Sequence, residues 1–95
     1  MAHIYYANGE IKEVTPKNGT DFQLEELQEI VGGYIWVIGL KEDAEQRIIV
    51  MNDEGKLKGL QMNEKATDLA HEFNAIFTDD YIVGDVLVCN NSMVK

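Results

Sequence analysis

The stretch Tyr34-Ile35-Trp36-Val37-Ile38-Gly39-Leu40 decides the fold, because it is apolar on both of its alternating faces. Ile48-Ile49-Val50-Met51 shares this property, and a charged connection, Lys41-Glu42-Asp43-Ala44-Glu45, joins the two segments. A strand that is apolar on both sides belongs in the middle of a sheet with two covered faces, or in an interface between subunits. We therefore predict a sheet with helices packed on it, and expect a homo-oligomer that associates through its apolar strands or through a helix face.

The N-terminal segment predicts a β-hairpin. His3-Ile4-Tyr5-Tyr6-Ala7 is rich in β-branched and aromatic residues, and Ile11-Lys12-Glu13-Val14-Thr15 alternates apolar with polar residues. Asn8-Gly9 lies between them and favours a tight turn in which both residues adopt a positive φ.

An amphipathic helix is predicted after the hairpin. Thr20, followed three residues later by Gln23, has the spacing of a capping box. Gly32 is suited to the left-handed conformation that ends a helix. The pattern gives an apolar face and an opposite, acidic outer face. The apolar face consists of Leu24, Leu27, Ile30 and Val31, and the acidic face of Glu25, Glu26 and Glu29.

The second half of the chain predicts another helix and a last strand. Asn63 is suited to cap a helix from Glu64 to Asn74, and the run Tyr81 to Cys89 predicts a strand with a kink at Gly84-Asp85. The order is then β-β-α-β-β-α-β. This is an α+β fold with a mainly antiparallel sheet of about five strands and two helices. We expect a single domain over residues 1–95, of which 90–95 form a frayed tail.

The charge of the chain excludes several function classes. It has 17 Asp and Glu against 8 Lys and Arg, for a net charge of −9, and Arg47 is its sole arginine. Binding to a nucleic-acid backbone or an anionic membrane needs clustered basic residues, so both are disfavoured. A basic partner, or imitation of nucleic acid, fits the charge. The chain has neither a signal-peptide pattern nor an apolar run of ~20 residues, so we expect a cytoplasmic protein.

Few residues are suited to catalysis or metal binding. Cys89 lies in an apolar run and is predicted to be a buried free thiol. His71 lies on the polar face of the second helix, where a solvated histidine is the favoured interpretation, and with Asp68 it offers too few ligands for a metal. Asp85 is more typical of a residue that binds local backbone N–H groups. We predict no catalytic residue, metal or cofactor; the alternative is a small hydrolase that uses His71 or Asp85.

Three blocks of sequence resemble the domain-of-unknown-function family 3846. The first is a Pro-Lys-Asn-Gly turn at 16–19 followed by Phe22-x-Leu24-x-x-Leu27-Gln28-x-Ile30-Val31-Gly32-Gly33. The second runs from Val50 to Leu57 and continues through Gly59-Leu60 and Asn63-x-x-Ala66-Thr67, and the third runs from Ile82 to Val88. The resemblance implies a small protein of phage or plasmid origin and implies no activity. Gln61 replaces the usual proline of a Gly-Leu-Pro stretch, so that turn is expected to differ.

This mobile-element context leads to a hypothesis about function. The chain would be a small non-catalytic binding protein that antagonises host defence, by sequestering a nucleotide-like small molecule or by binding a host protein. An acidic DNA mimic that inhibits a host DNA-binding factor is the alternative. The asparagines among the candidates are more typical of turns and caps, and Trp36 of a core or an interface. Candidate ligand residues are Asn52, Asn63, Thr67, Arg47, Lys58 and Trp36; candidate acidic partner-binding residues are Glu25, Glu26 and Glu29, with Glu42, Asp43 and Glu45 as further potential phosphate mimics.

Overall fold

The structure of the chain, a computed structural model, describes residues 2–41 and 43–94. Every strand pair is antiparallel, and the elements follow the predicted order, so the α+β prediction is confirmed. The elements are β1 (Ala2–Tyr5), β2 (Ile11–Val14), α1 (Leu24–Val31), β3 (Ile35–Gly39), β4 (Arg47–Asn52), α2 (Glu64–Glu72), β5 (Val86–Asn90) and a short 3-10 helix (Asn91–Met93).

The described strands form one five-stranded sheet in the order β2-β1-β5-β4-β3. The last strand along the chain, β5, therefore lies between β1 and β4. Successive residues of β4 point to opposite faces, so Ile48 and Val50 join one core while Ile49 joins the other. Leu27 of α1 packs in the first core and Ala66 of α2 in the second. The domain thus has three layers, with one helix on each face of the sheet.

The two strands that are apolar on both faces have different positions. The prediction of a central strand is confirmed for β4, whose Ile49 and Val50 are fully buried. It is wrong for β3, which forms an edge of the sheet. Trp36 is 57% exposed and Val37 41% exposed. The other arrangement that the pattern favours, an interface between subunits, stays a prediction for β3.

The hairpin between β1 and β2 forms with a different turn. Gly9 has a φ of 97°, but Asn8 does not adopt a positive φ. The Gly9 N–H donates to the Tyr6 carbonyl at 3.0 Å, and the Tyr6 N–H donates to the Glu10 carbonyl at 2.8 Å. This pattern is typical of an ordinary turn followed by a single left-handed glycine. The prediction of two positive φ angles is wrong, because Asn8 binds the Glu10 N–H through its side chain instead.

The start of α1 also differs from the prediction, whereas its end agrees. Gln23 is the N-cap, and no side chain caps this end. The Thr20 hydroxyl donates to the Asp21 carboxylate at 2.8 Å, so the capping-box interpretation is wrong. Gly32 ends the helix with a φ of 81°, as predicted, and its N–H donates to the Gln28 carbonyl.

The C-terminal segment packs against the domain. The Phe22 N–H donates to the Met93 carbonyl at 2.7 Å, and Phe22 forms a parallel bridge with Val94. Met93 and Val94 pack on the core beneath α1. Residues 90–94 therefore lie against the domain, in contrast to the frayed tail that their polarity predicts, because these two apolar side chains attach them. Lys95 lies outside the described residues.

The last strand is shorter than predicted. It begins at Val86, because Gly84 adopts a φ of 77° and turns the backbone before it. Upstream of this turn, Val83 forms only an isolated bridge with Met62. The segment 80–83 consequently leaves the sheet and becomes one side of a cleft.

Candidate functional site

An open cleft of about 310 Å³ lies on the α2 face of the sheet, at its β3 edge. Trp36 of β3 and Met51 of β4 contribute from the sheet, and the turn after β4 contributes Leu57. Tyr81 and its neighbours in the segment 80–83 line the opposite side. Ala66 and Ala70 of α2 share a core with Val86 and Val88 of β5, whereas Trp36 at the β3 edge is exposed.

The apolar side chains around the cleft are unusually accessible. Trp36 is 57% exposed, Tyr81 42% and Leu57 87%. Single exposed apolar residues are common on protein surfaces, but several around one concave site are typical of ligand or partner binding. Tryptophan and tyrosine are also enriched among the residues that contribute most to protein interfaces.

One ion pair lies at the rim of the cleft. The Lys56 ammonium group pairs with the Asp80 carboxylate and lies 4.3 Å from the centre of the Tyr81 ring. The hydrogen bond from Lys56 holds the pKa of the Asp80 carboxyl below its usual value, and the Tyr81 N–H, at 2.8 Å, acts in the same direction. The charges of Lys56 and Asp80 thus compensate each other, and Lys56 contacts the Tyr81 ring while Asp80 binds the Tyr81 backbone.

Asn63, a candidate ligand residue, is engaged by the protein itself. Its side-chain oxygen accepts from the Ala66 N–H at 3.1 Å, which confirms the predicted cap of α2. Its amide nitrogen donates to the carbonyl groups of Tyr5 and Gly84, each at 2.8 Å. The residue is 1% exposed, so no polar group of Asn63 is available to a ligand.

Thr67 and Asn52 are occupied in the same way. The Thr67 hydroxyl accepts from the Ile82 N–H at 2.9 Å and donates to the Asn63 carbonyl at 2.7 Å, which ties α2 to the segment before β5. Asn52 donates to the Val31 carbonyl at 3.0 Å and accepts from the Glu54 N–H at 2.8 Å. Asn52 borders the cleft, but each end of its amide already binds a backbone group of the protein.

The two basic candidates lie away from the cleft. The Arg47 side chain donates to the Asp43 carboxylate at 2.8 Å and lies 5.5 Å from the centre of the Phe73 ring. Its hydrogen bond is the main reason that the pKa of Asp43 is lowered. Lys58 lines a separate groove beside α1. The structure thus brings two of the six candidates, Trp36 and Asn52, to the cleft and separates the other four from it.

The acidic face of α1 is smaller than predicted. Glu25 and Glu29 are exposed, but Glu26 is only 8% exposed and accepts from the Lys17 N–H at 3.1 Å. The prediction that Glu26 belongs to the outer acidic face is therefore wrong, because its carboxylate binds a backbone N–H group of the loop before the helix. Asp43 is engaged by Arg47, and Glu42 lies outside the described residues.

The residues of the hydrolase alternative have structural partners. The Nε2 atom of His71 lies 2.9 Å from the Asp80 carbonyl oxygen, and the Asp85 carboxylate accepts from the Ala7 N–H at 2.9 Å. Burial raises the pKa of the Cys89 thiol to about 11, so the thiol is buried and protonated, as its sequence setting predicts. Among residues 2–41 and 43–94, no three His, Cys, Asp or Glu side chains form a group that would hold a metal.

Sequence reasoning missed two of the three exposed apolar residues around the cleft, Leu57 and Tyr81. Leu57 offered one signal, since it is an apolar residue between Lys56 and Lys58 in an otherwise polar turn. The local pattern predicts that Tyr81 begins a strand. Its position in the cleft depends on the turn at Gly84, which the local pattern suggested only as a kink.

Comparison with known proteins identifies a family and nothing finer. The model of the family DUF3846, described as a domain of unknown function, matches residues 3–93. No curated protein and no solved structure matches the chain. In the part of the chain that the structure describes, the helices are too short and too polar to cross a membrane.

Proposed function

The chain belongs to the DUF3846 family, as its three sequence blocks predict, and we propose that it is a non-catalytic binding protein. Its cleft would hold an apolar side chain of a basic partner protein. The observation that carries this proposal is the group of exposed apolar residues, Trp36, Leu57 and Tyr81, around one concave site.

Burial of this apolar surface supplies the favourable free energy in the proposal. Removing apolar surface from water yields about 25 cal/mol per Å². Aromatic side chains add to this because they are large and lose little conformational entropy on binding. The Tyr81 ring already lies against the Lys56 ammonium group, so ordering this side chain costs less when a partner binds.

Charge favours a basic protein over a nucleotide-like small molecule. Lys56 is the one basic residue among the described residues that line the cleft, and Asp80 compensates it. A phosphorylated ligand needs uncompensated cationic groups or free backbone N–H groups. The net charge of −9 instead attracts a positively charged partner and accelerates the encounter.

The sequence context narrows the proposed partner. In our proposal the chain is a mobile-element product that acts in the host cytoplasm, and the basic partner is a host-defence protein. The net charge of −9 supports the basic character of this partner.

The two alternatives have less support. A DNA mimic needs rows of free carboxylates, but those of Glu26, Asp43 and Asp80 bind groups within the protein. A hydrolase that uses His71 or Asp85 would need to release these side chains from the backbone groups that they bind.

Tryptophan fluorescence tests the proposal directly, because Trp36 is the sole tryptophan of the chain and lies in the cleft. We expect a peptide with one Phe flanked by lysines to change the Trp36 emission with a Kd of about 1 mM or below. The same peptide with aspartates in place of the lysines should bind at least about tenfold more weakly. Cyclic dinucleotides and ADP-ribose should produce no change.

Matched variants distinguish the cleft from other aromatic surface. By calorimetry, Leu57→Ala should weaken binding of the lysine-flanked peptide, whereas Tyr34→Ala should leave it unchanged. Tyr34 is a suitable control, because it is 68% exposed and lies outside the residues that line the cleft. Saturable binding of a nucleotide in the absence of peptide binding would overturn the proposal.

A further inference from the structure

The outer edge of β3 carries unpaired backbone groups. The Leu40 N–H donates to the Arg47 carbonyl at 3.0 Å, and the Tyr34 carbonyl accepts from the Asp53 N–H at 2.9 Å. In an antiparallel pair, successive residues alternate between facing the neighbouring strand and facing away from it. Even-numbered residues of this strand therefore bind β4, and the groups that point outward belong to Ile35, Val37 and Gly39.

This edge lacks the usual protection against pairing. Natural edge strands carry lysine, proline or inward-pointing charges, or are covered by another element. From Tyr34 to Leu40 the sequence contains neither a charged residue nor a proline. Trp36 and Val37 are both substantially exposed, and no other strand of the described chain pairs with this side of β3.

We propose that β3 pairs with β3 of a second copy of this chain, antiparallel and about a two-fold axis at Val37. In this register Val37 lies opposite Val37 of the second copy, and Ile35 lies opposite its Gly39. Every outward-pointing N–H and C=O group of the three residues then finds a partner. A shifted register leaves some of them unpaired. This inference goes beyond the binding proposal and does not depend on it.

The register also matches the side chains. Trp36 lies opposite Ile38 of the second copy in a position without backbone hydrogen bonds, where cross-strand side chains approach most closely. Both residues are on the α2 face of the sheet, since both line the cleft. A two-fold axis perpendicular to the sheet keeps the faces aligned, so the two clefts become neighbours on one face of a continuous sheet.

Charge complementarity selects a second copy as the occupant of this edge. Extending the register beyond the strand places Lys41 opposite Gly33 of the second copy, on the α1 face. Gly33 borders a groove that contains three acidic side chains and one basic side chain among the described residues. The acidic residues are Glu25, Glu29 and Glu54, and the basic residue is Lys58. Each copy thus offers a lysine to the acidic groove of the other, which offsets part of the repulsion between two chains of net charge −9.

Analytical ultracentrifugation of the full chain tests the pairing. We expect wild-type protein to form dimers with a Kd of about 100 μM or below. Val37→Lys should raise the dimer Kd by at least about tenfold, because it places two like charges directly opposite each other. Ile11→Lys on the other edge strand is the matched control. Ile11 is 45% exposed and Val37 41% exposed, so both variants should fold, and the control should still form dimers. A monomeric wild type, or a Val37→Lys variant with an unchanged dimer Kd, would overturn the proposal.

Disulfide formation tests the register. Cα atoms of a hydrogen-bonded pair lie about 5.5 Å apart, within the range that a disulfide spans. Val37→Cys should therefore cross-link two copies on mild oxidation, whereas Ile11→Cys should not. Cys89 is fully buried and gives no background. Equal cross-linking of the two variants, or none at position 37, contradicts the register.

Discussion

The buried amide of Asn63 and the exposed indole of Trp36 show how this small domain uses polar and apolar residues. Asn63 is 1% exposed and binds three backbone groups from different parts of the chain. Trp36 is 57% exposed in an open cleft. The polar residue therefore holds the fold together, while the apolar residue is available to a partner. In this protein, hydrogen-bonding capacity in the sequence indicates structure, and apolar surface left uncovered indicates binding.

Asn63→Ala should have the largest effect on stability. It removes the N-cap of α2 and leaves the carbonyl groups of Tyr5 and Gly84 without their partner. Loss of a cap costs about 1 kcal/mol, and each unsatisfied buried group costs about as much or more. We expect the free energy of unfolding to fall by about 3 kcal/mol in urea denaturation.

Asn8→Ala is the control for this variant, because Asn8 is exposed and binds only the nearby Glu10. It should cost less than about 1 kcal/mol. If the two variants were equally stable, the buried amide would not hold the fold, and the contrast with Trp36 would disappear.

Trp36→Ala should separate binding from stability. Its side chain is more than half exposed at an edge, so we expect the free energy of unfolding to change by less than about 1 kcal/mol. Binding of the lysine-flanked peptide should nevertheless weaken by about tenfold or more, measured by calorimetry because the fluorophore is lost. A large loss of stability with unchanged binding would reverse the roles assigned to Trp36 and Asn63.

The smallest expected effect is the dependence of stability on pH that comes from Asp80, which lies at the rim of the cleft. Lys56 lowers the pKa of this carboxyl below the ordinary value of 3.8. A lowered pKa in the folded chain means that the stabilisation is fully present above the unfolded pKa. It is lost as the pH falls through the folded pKa.

The Asp80 side chain is 37% exposed, so solvent screening keeps this contribution below about 0.5 kcal/mol. Urea denaturation of wild type and Asp80→Asn between about pH 6 and pH 3 measures it. We expect wild type to be slightly more stable at pH 6, with the difference shrinking below about pH 4. A difference that grows in acid would contradict the ion pair.

The sequence predicts the elements well, because their signals are local. The cap at Asn63 and the helix end at Gly32 depend on residues within one turn, and both are confirmed. The same is true of the two strands that are apolar on both faces, whose pattern identifies them as strands. That pattern does not distinguish a central strand from an edge that binds a partner, since each places apolar side chains on two faces. This is why β4 agrees with the prediction and β3 does not.

The local sequence pattern does not predict the cleft, for a different reason. Trp36 is a candidate residue, but Leu57 and Tyr81 belong to loops that are brought together by contacts between residues distant in sequence. Asn63 illustrates the same limit, since its bond to Tyr5 spans 58 positions. For Glu26 the local pattern gives a wrong prediction instead of none. Its position on the helix predicts an exposed carboxylate, and only the loop before α1 provides the N–H group that draws it inward.

The position of β5 has a consequence for the order in which the chain can assemble. The hairpins β1–β2 and β3–β4 each form from neighbouring segments, but β5 is the strand that joins them. A ribosome releases residues 86–90 after all the other strands. During synthesis the two hairpins therefore emerge as separate halves, and the sheet becomes continuous when the last strand arrives between them.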